Sequence, residues 1–189
     1  MLQGIDVSAW QGVVDWAAYA EEDIAFGIAR ASEGEEDVDQ CFARNWVELG
    51  HNGLVRGASH LLDAEADPVR QARHFLTQVR HGYGDLLAVE LPLDAPPEEL
   101  SAAARRWCFE VTERTGSRPL IHTFAHVALN GGAEGLERYP LWLAAPGRPM
   151  GEPVVPAPWH SWTIHQYANS PVNRNVFAGT TADLIALAG

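Results

Sequence analysis

The sequence predicts an α/β fold: one domain of barrel type, built around a largely parallel sheet. Three observations predict it. Short apolar segments alternate with amphipathic stretches along the chain, which is the pattern of repeated strand-helix units. The 189 residues, 47% of them hydrophobic, suffice for one substantial core. No internal repeat, low-complexity tract or linker breaks the pattern, so a single domain over 1–189 is expected.

Strands are expected over 3–8, 24–31, 54–61, 86–91, 119–124, 141–145 and 162–167, each a short apolar run flanked by polar or glycine-containing segments. The stretches between them carry helical periodicity. Residues 41–50 place Phe42, Trp46 and Leu49 on one face, and 68–81 do the same with Val69, Ala72, Phe75, Leu76 and Val79. A longer helix begins near Pro97, whose fixed φ suits a first turn. It carries Leu100, Ala104, Trp107 and Val111 on one stripe and stops at Gly116, where a left-handed cap costs little. Trp16, Trp46 and Trp107 fall on helix faces and read as core. Beyond about residue 125 the regularity fails, and five prolines between 146 and 158 mark a surface loop.

The charge narrows the choice of partners. With 25 acidic against 13 basic residues the net charge is −12, which repels nucleic acid and anionic lipid. The same charge opposes an anionic bacterial wall, although a neutral glycan held in a cleft needs no basic field. No apolar run approaches the roughly 20 residues that span a bilayer, so no membrane association is expected. Cys41 and Cys108 both fall in helical segments and read as two buried thiols rather than a disulfide. Met1, Leu2 and Gln3 enter the first strand without a charged region or an apolar signal segment. The expectation is a monomer made in the cytoplasm that reaches its site of action after release or by another delivery system.

In a parallel barrel the ligand-facing side chains come from the C-terminal ends of the strands. Here those ends carry Asp6, Ser8 and Trp10 on the first, Arg30, Ser32 and Glu33 on the second, and Ser59, His60 and Asp63 on the third. Glu90 ends the fourth, His122 the fifth, Trp142 lies on the sixth, and Gln166 and Tyr167 lie on the last. A carboxylate in an apolar strand is costly to bury unless it is hydrogen-bonded or used, which singles out Asp6 and Glu90 as candidate catalytic groups. Trp10 and Trp142 offer flat faces for a sugar ring or for core packing. His60, His122 and His165 lack tight ligand spacing, so neither a metal nor another cofactor is expected.

The segment GIDVSAWQGVVDW at 4–16 resembles the opening signature of the family 25 lysozymes among the glycoside hydrolases. ARASEG at 29–34, DVDQCFARNW at 37–46 and RGASHLLDAEADPVRQARHFL at 56–76 are similar to the units that follow in that family. YPLWLA at 139–144 and HQYANSPVNRNVF at 165–177 resemble its closing strands. The resemblance implies an irregular TIM-like (β/α) barrel with eight strands and fewer than eight helices. It also implies an enzyme that cleaves the β-1,4 bond next to N-acetylmuramic acid in the peptidoglycan glycan strand. Residue by residue, it gives Glu90 as general acid and Asp6 as its helper. Together with the strand-end reading, the candidate substrate-binding set is Trp10, Glu33, Ser59, His60, His122, Trp142, Gln166 and Tyr167.

Four positions depart from the family pattern. Ala88 stands where the family's fourth strand has an aspartate two residues before the glutamate, and Asn173 stands where it has another. Ser59 and His122 replace tyrosines. Removing a preorganised charge commonly costs on the order of 10² to 10³ in rate, so reduced or altered activity is expected. Two alternatives stay open: a glycan-binding or interaction module that no longer cleaves, and a glycosidase whose groove takes a different polysaccharide.

Overall fold

The computed structural model describes residues 1–188. Nine strands form one sheet: β1 (Leu2–Val7), β2 (Ile24–Glu33), β3 (Asp37–Val38), β4 (Val55–Leu61), β5 (Leu86–Glu90), β6 (Leu120–Phe124), β7 (Leu141–Ala144), β8 (Ile164–Ala168) and β9 (Asn173–Phe177). Eight of them close into a barrel in the order β1-β9-β8-β7-β6-β5-β4-β2, with β1 pairing back onto β2. The two-residue β3 only extends the rim of β2. Neighbours are parallel except at β9, which runs antiparallel to both β8 and β1. This last strand and the short β3 are the strands that apolar segmentation did not indicate. β9 reads NRNVF, so its first three residues carry no apolar signal.

Six α-helices surround the barrel among the described residues: α1 (Trp16–Glu21), α2 (Phe42–His51), α3 (Pro68–Gln78), α4 (Pro97–Thr115), α5 (Ala125–Val127) and α6 (Thr181–Leu187). The irregular barrel with fewer than eight helices follows from this. Gly116 ends α4 at φ 79°, the left-handed conformation that a side chain would resist. From 145 to 163 the chain forms neither helix nor strand, as its prolines require.

Alternation along each strand sorts side chains into two cores. Ile5, Ala29, Ala58, Leu87, Val89, Ile121 and Leu143 point outward and pack under the helices with Trp16, Phe75 and Trp107. The opposite parity fills the barrel with Phe26, Ile28, Leu86, Ala88, Leu120, Trp142, Ile164 and Phe177. Leu184 and Ala188, in and just after α6, join this inner cluster and stopper the N-terminal end of the strands. Gly4 makes room for Phe26, since a Cβ there would lie 2.4 Å from the phenyl ring. With its lower layers occupied by apolar side chains, the barrel is a packed core and is open to ligands only at its C-terminal mouth.

Both thiols are free. Cys108 is buried in α4, whereas Cys41, expected to be buried, sits at the N-cap of α2 and is only partly covered.

Candidate active site

The inward parity that places apolar residues low in the barrel places polar ones at its mouth. Continuing from Phe26 and Ile28 brings Arg30 inward, and continuing from Leu86 and Ala88 brings Glu90. The same count gives Ser59 on β4, His122 on β6, Gln166 on β8, and Asn175 and Asn173 on β9. Asp6 ends the series on β1. A cavity of about 530 Å³ opens over this layer, lined by Asp6, Arg30, Glu90, His122, Gln166 and Asn173, with Trp10, Leu93, Asp94 and Phe124 on its walls. Asp6 and Glu90 therefore face one cavity from separate strands.

The two carboxylates are held differently. Arg30 donates from Nε to Glu90 Oε1 at 3.2 Å and from Nη2 to Oε2 at 2.5 Å, a two-pronged ion pair. Ser59 Oγ donates to Oε1 at 2.6 Å. Burial alone would push the Glu90 carboxyl up, but the Arg30 charge and these hydrogen bonds outweigh it and hold the group below the usual carboxylate range. Asp6 has no cation in contact. Asn173 Nδ2 donates to Oδ2 at 2.8 Å and Asn175 Nδ2 to Oδ1 at 2.7 Å. Burial is the largest influence and raises the Asp6 carboxyl above its ordinary value, against the opposing effects of His122 and the two amides. One mouth thus holds a carboxylate kept ionised and a second one biased toward its acid form.

A second ring of contacts orients these groups. Trp142 Nε1 donates to Asn175 Oδ1 at 2.8 Å, which fixes that amide with its nitrogen toward Asp6. His122 lies on the Trp142 ring, with centroids 4.3 Å apart, and its Nε2 is 2.9 Å from Gln166 Oε1.

Residues 5–176 match the family model described as glycosyl hydrolases family 25. The chain belongs to this family. An uncharacterized protein, YegX, from Escherichia coli is 34% identical over 201 residues, which cover 97% of this chain and 72% of that protein. Lysozyme M1 of Streptomyces globisporus is 28% identical over 211 residues, with 99% and 71% covered. Among solved structures, the bacterial lysozyme from Streptomyces coelicolor superposes with a TM-score of 0.89 at 26% identity, covering 99% of this chain and 96% of that one.

On this family 25 barrel the remaining sequence-derived residues divide into groups. Trp10 is 90% exposed beside the cavity, on a short 3₁₀ turn pinned by Ser8 and Gln11 and by Asp39, which accepts from the Ala9 amide at 2.7 Å. Glu33 opens onto a small adjoining recess that Arg30, Trp10 and Asp39 also line. Ser59 is buried under Glu90 and reaches the cavity only through it. Trp142 is 1% exposed, one layer below the mouth, so its face is closed to a sugar and its part is to anchor Asn175.

His60 and Tyr167 have the outward parity. A register irregularity between Arg30 and Ser32 turns Ser32 to the outer layer, where its Oγ lies 2.9 Å from His60 Nδ1. His60 Nε2 lies 3.1 Å from Gln71 Oε1, and its ring stacks on Trp107 at 5.5 Å. Burial pushes this imidazole down to about 4. Tyr167 donates its hydroxyl to Gln3 Oε1 at 3.0 Å, outside the barrel mouth.

Arg30, named among the strand ends but given no role, and Asn175, outside the candidate set, are both members of the site. Strand parity was the signal available for both: Arg30 is two residues past Ile28, and Asn175 is two past Asn173. Ala88 lies fully buried beneath Glu90, paired with Ser59 and Leu120 on the neighbouring strands. Among the described residues no group of three or more His, Cys, Asp or Glu is placed to hold a metal ion.

Proposed function

We propose that this family 25 chain is a lysozyme-type glycoside hydrolase of the bacterial wall. Its bond is the β-1,4 linkage next to N-acetylmuramic acid, cut slowly and under acidic conditions. The observation that carries this reading is the pair Asp6 and Glu90 meeting over one sugar-sized cavity, since glycoside hydrolysis needs one group to give a proton and another to support positive charge. Relatives described as lysozymes, covered over nearly this whole chain, support the substrate class.

We assign the proton donor to Asp6, whose carboxyl is raised by burial, and the supporting anion to Glu90, which Arg30 holds below the usual carboxylate range, the reverse of the roles that the resemblance implies. In its acid form Asp6 gives its proton to the glycosidic oxygen as the bond from that oxygen to C1 breaks. Glu90, kept ionised by Arg30, faces the positive charge that develops at C1, alone or together with the substrate's acetamido oxygen. A water then adds to C1 and returns its proton to Asp6, which restores the starting state. The slow rate rests on Ala88 and Asn173: neither can carry charge, and both stand where the family pattern has aspartates.

A second reading is favoured by one observation: Arg30 and Ser59 already occupy both oxygens of Glu90. A site so satisfied suits glycan binding without cleavage. Digestion of purified peptidoglycan between about pH 4 and 7, followed by borohydride reduction and mass analysis, separates the two. Hydrolysis yields fragments ending in reduced muramic acid and none from Glu90→Gln; the binding module yields retention on the wall and no fragments.

A further inference from the structure

Ala88 leaves the inner face of β5 without the anion that the family pattern places there, and the neighbouring strand carries a second departure, His122 in place of a tyrosine. Geometry links the two. His122 is the one imidazole lining the mouth, and it pairs in register with Glu90 across β5 and β6, so both side chains rise from one layer. Its ring is held from two sides. Trp142 packs against it with centroids 4.3 Å apart, and Nε2 lies 2.9 Å from Gln166 Oε1. A carbonyl oxygen only accepts, so Nε2 carries a proton and the neutral ring keeps its lone pair on Nδ1.

That lone pair is uncommitted. Among the described residues Nδ1 has no partner, and the buried side-chain atoms that lack one are Asn45 Nδ2 and Trp107 Nε1, so Nδ1 opens onto the cavity. The other side-chain acceptor on the inner faces of β5 and β6 is Glu90, whose two oxygens already receive Arg30 and Ser59. An oriented, unoccupied acceptor therefore stands one strand from the position of the missing aspartate.

We propose that His122 is a further catalytic residue: its Nδ1 accepts the N–H of the 2-acetamido group on the sugar being cleaved and so turns the acetamido oxygen toward C1. The inference rests on the glycan-directed reading given above and names the group that orients the substrate's own oxygen. As the bond from C1 to the glycosidic oxygen breaks, its electron pair leaves with that oxygen, which takes the Asp6 proton. The acetamido oxygen bonds to C1, and the N–H, made more acidic by the charge it acquires, strengthens its hydrogen bond to Nδ1. Water then adds to C1, the acetamido oxygen leaves, and the proton of that water passes to Asp6. The amide proton stays on its nitrogen throughout. A neutral imidazole supports this charge less than a carboxylate does, in keeping with slow turnover.

Calorimetric titration of the Glu90→Gln protein with MurNAc-GlcNAc, and with an analogue whose muramyl N–H is replaced by an ester oxygen, tests the contact. The ester keeps the shape and the carbonyl and lacks the donor. The natural disaccharide is expected to bind about tenfold more tightly, roughly 1.4 kcal/mol. Adding His122→Phe is expected to bring both ligands to the weaker affinity, and His122→Asn, whose amide oxygen can stand where Nδ1 does, to restore the preference. Equal affinity for the two ligands, or a preference that survives His122→Phe, overturns the role of His122 while leaving the glycan reading intact. No binding of either ligand overturns both.

Discussion

Arg30 grips both oxygens of Glu90, at 3.2 and 2.5 Å, across the floor of the barrel mouth. The pair is partly buried, with side-chain exposures of 23% and 13%, so it is only weakly screened by water and salt. Its effect is to hold the Glu90 carboxyl below the usual carboxylate range, while burial raises that of Asp6.

The pH dependence of hydrolysis reports on that pair. On the proposed assignment, the acid limb of kcat/KM follows ionisation of Glu90 and the alkaline limb follows loss of the Asp6 proton. Arg30→Gln removes the cation, so the acid limb should move up by about a unit or more. Arg30→Lys, which keeps a charge but loses the fork, should fall between. An acid limb indifferent to position 30 would show that Glu90 is not held in this way.

Trp142 acts at one remove. Its Nε1 fixes the Asn175 amide that donates to Asp6. Trp142→Phe keeps most of the ring volume and deletes that donor, which leaves a buried acceptor without a partner at a cost of about 1–3 kcal/mol. Steady-state kinetics should show kcat down about tenfold with KM little changed, because substrate does not touch this ring. An unaltered kcat, or a loss confined to KM, argues against a positioning role.

His60 sets a stability limit at low pH. Its folded-state value near 4 lies below the ordinary 6.5 because burial disfavours the cation. The unfolded chain therefore binds the proton more readily. The contribution of neutral His60 is complete above about pH 6.5 and is lost as pH falls toward 4, on the order of 3 kcal/mol in all. Imidazole resonances should titrate with a midpoint near 4; a midpoint near 6.5 would mean that the ring is open to water.

Much of this molecule is legible in its sequence. All seven strands expected from apolar segmentation form, and the helices at 42–51, 68–78 and 97–115 follow the stripes of Phe42, Phe75 and Trp107. β9 escaped because its polar residues face the barrel mouth, where alternation places Asn173 and Asn175 beside Asp6. Which strand-end residues enter the mouth was harder to read. His60 and Ser59 are chain neighbours of opposite parity, and the irregularity after Arg30 reverses the count on β2, so that Ser32 turns away while Arg30 turns in. Trp142 has the right parity but lies one layer too deep. Depth in a barrel depends on strand stagger, which the order of residues along one strand does not reveal.

The claim that the site is a wall hydrolase slowed by missing charge is tested most directly by supplying the charge. In Asn173→Asp the new carboxylate stands within hydrogen-bond reach of Asp6, so the two share a proton and Asp6 becomes a stronger reservoir of the acid form. Ala88→Asp adds an anion under Glu90, in a fully buried position that will lower stability. The rate of reducing-end release from peptidoglycan by the double variant, compared with the parent at equal folded concentration, is the decisive measurement. A rise of about 10² to 10³ is predicted. Equal rates in the two proteins, or no release by the folded double variant, would contradict the account.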